Sequence, residues 1–153
     1  MQETTLIVDT PLGLVTLVGT EQGLTEISFG PAGPEEGEQV PECLYTAALQ
    51  LQEYFQGQRT GFDLALIMQG TSFQVQVWKA LMDIPYGHRV SYRELACRVG
   101  NPRACRAVGG ANNKNPFSVV VPCHRVVGSD GRLVGYASGL WRKQWLLELE
   151  GAL

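Results

Sequence analysis

Residues 91–111 read SYRELACRVGNPRACRAVGGA, and this segment determines the architecture that the sequence predicts for the second half of the chain. Ser91 and Glu94 have the S-x-x-E spacing of a capping box, in which each residue satisfies a free backbone N–H of the other. The pattern predicts a helix that continues through Val99, with Leu95 and Val99 on its apolar face.

The three residues that follow predict a helix-turn-helix. Gly100 favours the end of the first helix. Asn101 followed by Pro102 has the pattern of an N-cap and the first residue of a second helix. Two helices joined by a tight, glycine-containing turn are the elements of a helix-turn-helix.

The second helix has a polar face that suits a polyanion. At 100° per residue, Arg103 and Arg106 lie beside Gly110, opposite the apolar residues. Gly109 and Gly110 each cost a helix about 1 kcal/mol relative to alanine, so the pair indicates either a surface of close approach or the helix end. The apolar face is small and consists of Ala104, Val108 and Ala111. A solvated arginine face and a DNA-binding face both remain open.

A group of chemically capable side chains follows the helix-turn-helix. The β-branched run 119–121 predicts a buried strand that Pro122 ends. Cys123, His124 and Arg125 come directly after it. The residues alone are compatible with a cysteine nucleophile beside its base, with a metal site, or with simple packing.

The first half predicts a small antiparallel sheet covered by a helix. In chain order the predicted elements are strands at 4–9, 14–19 and 24–29, a mobile loop at 30–41, a helix at 42–56 and a strand at 62–67. We therefore predict an α/β (α+β) fold with two domains, an N-terminal α/β domain at 1–68 and a mainly helical domain at 69–153.

Several further elements are predicted in the second half. They are a helix opened by a capping box at Thr71–Gln74, a turn cluster at 112–116, a glycine-rich loop at 128–139, and a C-terminal helix with Trp141, Trp145 and Leu149 at i, i+4 and i+8.

Charge is distributed unevenly along the chain. Residues 1–70 contain one arginine against ten acidic residues, whereas residues 71–153 contain eleven basic residues against five acidic ones. A basic segment joined to an acidic one suggests that only the second half meets a polyanion. Two domains with differently charged solvated surfaces would give the same pattern.

The sequence also limits the location of the protein. It has no apolar run near the ~20 residues that span a bilayer, and its N-terminus lacks the pattern of a signal peptide. We therefore expect a cytoplasmic protein that does not contact membranes. The irregular spacing of its four cysteines does not resemble a disulfide framework, so we expect reduced thiols.

Residues 71–153 resemble the DNA-binding, active-site domain of the O6-alkylguanine-DNA alkyltransferases. The hallmark Pro-Cys-His-Arg-Val is present at 122–126. Residues 1–68 resemble only in outline the family's variable, ribonuclease H-like N-terminal domain. The other matching blocks are Phe73-Gln74-x-x-Val77-Trp78, Ile84-Pro85-Tyr86-Gly87, Ser91-Tyr92, Arg106 to Ala111, Asn115-Pro116 and Trp145-Leu146-Leu147-x-x-Glu150.

The resemblance implies a single-turnover methylated-DNA–protein-cysteine methyltransferase. It would transfer the alkyl group of O6-alkylguanine, and of O4-alkylthymine, to Cys123, irreversibly and without a cofactor. His124 would be the base, acting through a water, and Glu150 would orient it. Tyr92 would help to rotate the nucleotide and donate a hydrogen bond to guanine N3.

The resemblance also implies how DNA is bound. Arg106 would enter the base stack of double-stranded DNA from the minor groove while the target nucleotide flips out. The protein would act as a monomer or cooperatively along DNA. Other residues expected at the DNA surface are Arg103, Ala104, Gly109 and Gly110. Residues expected to build the base pocket are Asn115, Val126, Tyr136, Ala137 and Ser138.

Two departures from the family pattern are visible. Ala137 stands where some members have a serine that contacts O6, so that side-chain contact does not carry over. Residues 1–70 contain Cys43 but no histidine, so the N-terminal zinc site of some members is absent, and we expect no metal site elsewhere.

Two alternatives come from other functional classes. One is a non-enzymatic lesion-binding protein of the alkyltransferase-like type, although those proteins lack the reactive cysteine. The other is a sequence-specific regulator that uses the helix-turn-helix alone.

Overall fold

The structure of the chain is a computed structural model that describes residues 2–34 and 39–153. Part of the loop predicted at 30–41 therefore lies outside the described residues. The chain forms two compact units, which consist of Met1–Gln69 with Pro116–Val120 and of Gly70–Asn115 with Val121–Leu153. The division into domains at 68/69 stays a prediction.

The first unit is an antiparallel sheet against one helix, as predicted. The sheet has the order β1-β2-β3, with β1 at Thr4–Thr10, β2 at Gly13–Thr20 and β3 at Gly23–Phe29. Helix α1, Glu42–Phe55, buries Leu44 and Leu51 in this unit. A Cβ on Gly19 would lie 2.6 Å from the Gly23 carbonyl oxygen and 2.9 Å from Leu44 Cδ1, so only glycine allows the close approach.

Two predicted strands are wrong. At 62–67 only Leu66 forms a bridge, a parallel one with Leu24. Residues 119–121 are turn rather than strand, and Val119 has a φ of 72°. The run is buried as predicted, but a buried β-branched run is compatible with a turn when the turn's carbonyls find partners elsewhere.

The second unit contains four α-helices and a short parallel sheet. Both predicted capping boxes are present, at Thr71 with Gln74 and at Ser91 with Glu94. Trp78 Nε1 donates to the Ala111 carbonyl at 2.9 Å, which ties the first of these helices to the helix-turn-helix. The elements are α2 at Ser72–Met82, β4 at Val90–Ser91, α3 at Tyr92–Arg98, α4 at Cys105–Asn113, a 3-10 turn at Cys123–Arg125, β5 at Val126–Val127 and α5 at Leu140–Leu149.

The helix-turn-helix is formed by α3 and α4, but α4 begins later than predicted. Its N-cap is Ala104, and Asn101 instead accepts a hydrogen bond from the backbone N–H of Arg103 at 3.2 Å. Asn101 therefore organises the turn, because its side chain reaches a backbone N–H two residues on. Arg103 lies before α4 rather than on its face.

The end of α4 and the face of α5 also differ from expectation. Helix α4 continues through both glycines to Asn113, so the glycine pair does not mark its end, and the predicted turn cluster at 112–116 begins inside the helix. In α5 the buried side chains are Lys143, Leu146 and Leu147, while Trp141 is exposed. Within the described residues, no helix is long and apolar enough to cross a membrane.

Candidate active site around Cys123

Cys123 opens the 3-10 turn at Cys123–Arg125, and its side chain is buried. Its backbone N–H donates to the Val121 carbonyl at 2.7 Å. The same carbonyl accepts a hydrogen bond from Asn115 Nδ2 at 2.8 Å. Asn115 lies just beyond α4. Its amide therefore attaches the backbone that precedes Cys123 to the end of the helix-turn-helix.

The environment of Cys123 keeps its thiol protonated at rest. Burial raises the pKa of the thiol, whereas a hydrogen bond from Asn115 and the charge of Lys143 lower it. Burial is the largest of these effects, so the pKa stays above the ordinary value of a cysteine. A thiol in this condition needs a base before it can act as a nucleophile.

His124 is the side chain that the sequence predicts to be that base. Its Nε2 lies 2.8 Å from Glu150 Oε2, and both side chains are fully buried. Because the carboxylate accepts a hydrogen bond from Nε2, that nitrogen carries the ring proton, and Nδ1 has a free lone pair. Nδ1 is buried and has no hydrogen-bond partner among the described residues.

The His124 ring is neutral in the folded protein. Burial is the largest effect and lowers its pKa, and the charges of Arg125 and Lys143 lower it further, so together they outweigh the hydrogen bond and charge of Glu150, which raise it. A neutral imidazole with an unoccupied Nδ1 can accept a proton. The pair therefore has the tautomer and charge state that general-base catalysis requires.

Arg125 holds the carboxylate of this pair. Its Nε lies 2.8 Å from Glu150 Oε1, and its Nη2 lies 3.0 Å from Oε2. Nη1 donates to the carbonyl of Ile84 at 2.6 Å. Arg125 thus neutralises Glu150 and fixes its orientation, because a bidentate guanidinium–carboxylate pair sets both partners in one plane.

Tyr92 lies at the start of α3, against the loop predicted to form a base pocket. Its hydroxyl donates to the carbonyl of Val134 at 3.0 Å. A Cβ on Gly109 would lie 3.8 Å from the Tyr92 ring, so the first glycine of the pair faces this tyrosine. Burial raises the pKa of Tyr92, which keeps the phenol protonated and able to donate.

Three of the remaining predicted pocket residues, Tyr136, Ala137 and Ser138, lie on this loop. The hydroxyl of Tyr136 is buried without a hydrogen-bond partner in the described part of the chain, and burial raises its pKa well above the ordinary value. Ala137 is exposed. The carbonyl of Ser138 accepts a hydrogen bond from Arg142 Nη1 at 2.7 Å. Val126 lies in β5 and pairs with Val90 of β4.

The predicted DNA-binding residues form a separate group on the helix-turn-helix. Arg106 is exposed near the start of α4, and its guanidinium makes no ion pair within the described residues. A Cβ on Gly110 would meet no heavy atom within 4 Å, so the backbone is open to a ligand there. Arg103 is exposed, and Ala104 is half-buried.

Sequence reasoning missed two polar residues of the site, Asn112 and Lys143. Asn112 is buried in the last turn of α4 and donates to the Cys123 carbonyl at 3.5 Å. Lys143 is fully buried on α5. A signal for the lysine was present, because residues 143, 146, 147 and 150 have the spacing of one helix face, which predicts that Lys143 shares a buried stripe with Glu150.

No group of three or more histidine, cysteine, aspartate or glutamate side chains that could hold a metal ion occurs among the described residues. The four cysteines are free thiols.

The chain matches two family models. The model described as "6-O-methylguanine DNA methyltransferase, DNA binding domain" matches residues 72–152. The model described as "6-O-methylguanine DNA methyltransferase, ribonuclease-like domain" matches residues 3–67. Together they account for both halves of the chain.

Relatives and solved structures resemble the chain over nearly its whole length. The methylated-DNA–protein-cysteine methyltransferase of Methanosarcina barkeri is 48% identical over 149 residues, which are 94% of this chain and 94% of the relative. The Mycolicibacterium paratuberculosis protein of the same name is 47% identical and covers 94% of this chain and 89% of its own. Mycobacterium tuberculosis OGT, crystallised in complex with DNA, has a TM-score of 0.88 at 43% identity over 99% of this chain and 94% of its own.

Proposed function

The chain belongs to the 6-O-methylguanine DNA methyltransferase family, and from this membership we propose that it repairs DNA by moving the alkyl group of O6-alkylguanine to its own Cys123. The observation that carries the proposal is the buried hydrogen-bonded pair His124–Glu150 directly beside a buried cysteine, on the helix-turn-helix unit. O4-alkylthymine, which presents the same kind of carbon–oxygen bond, is a second substrate in this proposal.

The reaction is a displacement at the alkyl carbon. His124 Nδ1 takes the proton of the Cys123 thiol through a water, and the thiolate attacks the carbon attached to O6. A bond forms between sulfur and carbon while the bond between carbon and O6 breaks, and its electron pair stays on the guanine. The guanine then takes up one proton, so the products are S-alkylcysteine and guanine with its normal O6.

Tyr92 supports the departing base. Its phenol is protonated, since burial raises its pKa, and it can donate a hydrogen bond to guanine N3 as negative charge develops on the ring. In the free protein this donor is satisfied by the Val134 carbonyl, so the base would replace that interaction.

The DNA side of the proposal rests on the exposed helix-turn-helix surface. Flipping a nucleotide costs a few kcal/mol, and a side chain that fills the gap offsets part of this cost. Arg106 is exposed and makes no ion pair within the described residues, so it is free to enter the stack from the minor groove. The open backbone at Gly110 supports close approach of a phosphate chain. The proposal has the protein act as a monomer in the cytoplasm.

The chemical stability of the alkylated cysteine determines how many times each molecule can react. A thioether is not hydrolysed as a thioester is, so each molecule acts once. The family names of the relatives support this repair function and not the non-enzymatic lesion-binding alternative.

Intact mass spectrometry tests the function directly. We expect one methyl group on Cys123 after incubation with a duplex that contains O6-methylguanine, and none on Cys123→Ala, which should still bind DNA. Cys105→Ala, which removes a thiol on α4, should react as the wild type does. Modification at another cysteine, or repeated turnover, would contradict the proposal.

A further inference from the structure

Lys143 is a fully buried lysine that the mechanism above does not use. It lies on α5, and its relative exposure is 0%. Its Nζ donates to the carbonyl of Val134 at 2.8 Å and lies 3.3 Å from that of Gly135. Burying an ammonium carries a penalty of several kcal/mol unless hydrogen bonds and an opposite charge compensate for it.

The backbone that Lys143 binds belongs to the loop that is predicted to line the base pocket. The Val134 carbonyl accepts from both Lys143 Nζ and the Tyr92 hydroxyl, and Nζ lies 5.9 Å from the centre of the Tyr92 ring. A single ammonium therefore contacts the loop and lies over the tyrosine proposed to bind guanine N3.

Lys143 has no carboxylate partner. Glu150 is bound by Arg125 and His124, and no acidic side chain forms an ion pair with Lys143 among the described residues. The side chain whose charge raises the pKa of Lys143 is the thiol of Cys123. Ionisation of this thiol would supply the counter-charge that the buried ammonium lacks.

We propose that Lys143 is a positioning residue for the proposed alkyl transfer, which stabilises the thiolate of Cys123 by its charge and holds the 134–135 backbone in place for the flipped base. The inference rests on the proposed function. It predicts that a neutral side chain at this position makes the thiolate harder to form, even if the fold is intact.

The pH dependence of the reaction follows from the groups around Lys143. The titratable side chains that interact with it are Cys123 and His124 from the 3-10 turn and Tyr92 from α3. Burial lowers the pKa of Lys143 to about 8, while the charge of Cys123 opposes this effect. We expect the transfer rate to rise with pH as more of Cys123 ionises, and to rise less steeply above about pH 8, because Lys143 then loses the charge that favours the thiolate.

The test compares Lys143→Met, Lys143→Arg and the control Lys79→Met, which changes an exposed lysine on α2. For each full-length variant, the rate of transfer from a free benzylated guanine base is measured between pH 6 and 10. The rate of Cys123 modification by iodoacetamide is measured over the same range, because it reports the pKa of the thiol without the base pocket.

We expect Lys143→Met to lower the rate of transfer at neutral pH about tenfold or more, which corresponds to a rise of one unit or more in the thiol pKa. The iodoacetamide profile should move to higher pH by the same amount. Lys143→Arg should recover part of the rate and keep the steep rise above pH 8, because a guanidinium stays charged there. Lys79→Met should match the wild type in both profiles.

An unchanged iodoacetamide profile in folded Lys143→Met would overturn the inference, since a merely structural lysine would not move the thiol pKa. If Lys143→Met does not fold, the wild type and Lys143→Arg still decide the question. A rate that does not flatten above about pH 8 in the wild type, or that flattens equally in Lys143→Arg, would also overturn the inference. Failure of the wild type itself to transfer an alkyl group to Cys123 would instead contradict the proposed function.

Discussion

Arg125 binds both carboxylate oxygens of Glu150, with Nε 2.8 Å from Oε1 and Nη2 3.0 Å from Oε2. The same carboxylate accepts a hydrogen bond from the His124 ring. Its charge is therefore shared between a permanent cation and an imidazole, and the imidazole stays neutral. A neutral imidazole is the state in which His124 can act as a base, so Arg125 would contribute to the proposed chemistry through Glu150.

The first prediction concerns the loss of this guanidinium. Arg125→Met removes the guanidinium from the buried carboxylate of Glu150, and breaking a buried ion pair in this way costs about 3–5 kcal/mol of stability. The pKa of His124 should rise, because the nearby positive charge is gone. We expect a lower free energy of unfolding in urea and a pH–rate profile of alkyl transfer that is shifted to higher pH.

Arg132→Met is the control for this variant. Arg132 pairs with Asp130 at 3.2 Å, but the two side chains are 82% and 59% exposed. Exposed pairs contribute little, so this variant should keep the stability and pH profile of the wild type. Equal losses in the two variants would show that the burial of Arg125 is not what matters.

The second prediction concerns stability in acid. Burial lowers the pKa of folded His124 below its ordinary value of 6.5, so the unfolded chain takes up a proton that the folded chain resists. The free energy of unfolding should therefore fall as the pH drops below about 6.5, by up to about 1.4 kcal/mol per pH unit from this residue. Denaturation in urea at a series of pH values measures this slope.

His88 provides the comparison, because it is exposed. His88→Gln should keep the acid slope of the wild type, whereas His124→Gln should flatten it. A slope that is the same in both variants would assign the acid lability to carboxylates rather than to His124.

The third prediction separates two arginines of the helix-turn-helix. Arg106→Ala should slow the repair of duplex DNA much more than the reaction with a free benzylated guanine base, because only the duplex needs a side chain in the stack. Arg103→Ala should weaken DNA binding. It should also reduce the slope of log affinity against log salt concentration by the amount that corresponds to about one phosphate contact. Equal losses on both substrates in Arg106→Ala would argue against its insertion into DNA.

Local patterns of the sequence predicted the fold well where short-range hydrogen bonds decide it. The capping box of Ser91 and Glu94 spans three residues and appears as expected. The predicted start of α4 was wrong because an asparagine such as Asn101 can cap a turn as well as a helix, and the sequence does not distinguish the two. The turn at 119–121 was missed because a β-branched run usually favours a strand, whereas here Asn115 binds the Val121 carbonyl.

The composition of the site was predictable to the extent that its residues belong to a motif. Cys123, His124 and Glu150 belong to motifs of this kind, and the sequence predicted all three as site residues. The two bonds from Arg125 to Glu150 join residues 25 positions apart, and they depend on packing that no local pattern records. Lys143 was missed because lysine is rarely buried, and its burial depends on the carbonyls of a loop that the sequence describes only as glycine-rich.

The fourth prediction concerns Asn115, whose amide contacts both the backbone and the thiol of the site. Its Nδ2 donates to the Val121 carbonyl at 2.8 Å, and a hydrogen bond from its side chain lowers the pKa of Cys123. Asn115→Ala should cost about 0.5–1.5 kcal/mol of stability, the net contribution of one hydrogen bond, because the Val121 carbonyl still accepts from the Cys123 N–H. It should also raise the pKa of the thiol, which slows both alkyl transfer and modification by iodoacetamide at neutral pH. Asn101→Ala removes an exposed asparagine that binds only a turn backbone, so it should leave the thiol unchanged. If Asn115→Ala loses stability while its thiol titrates as in the wild type, the amide supports the turn but does not assist the nucleophile.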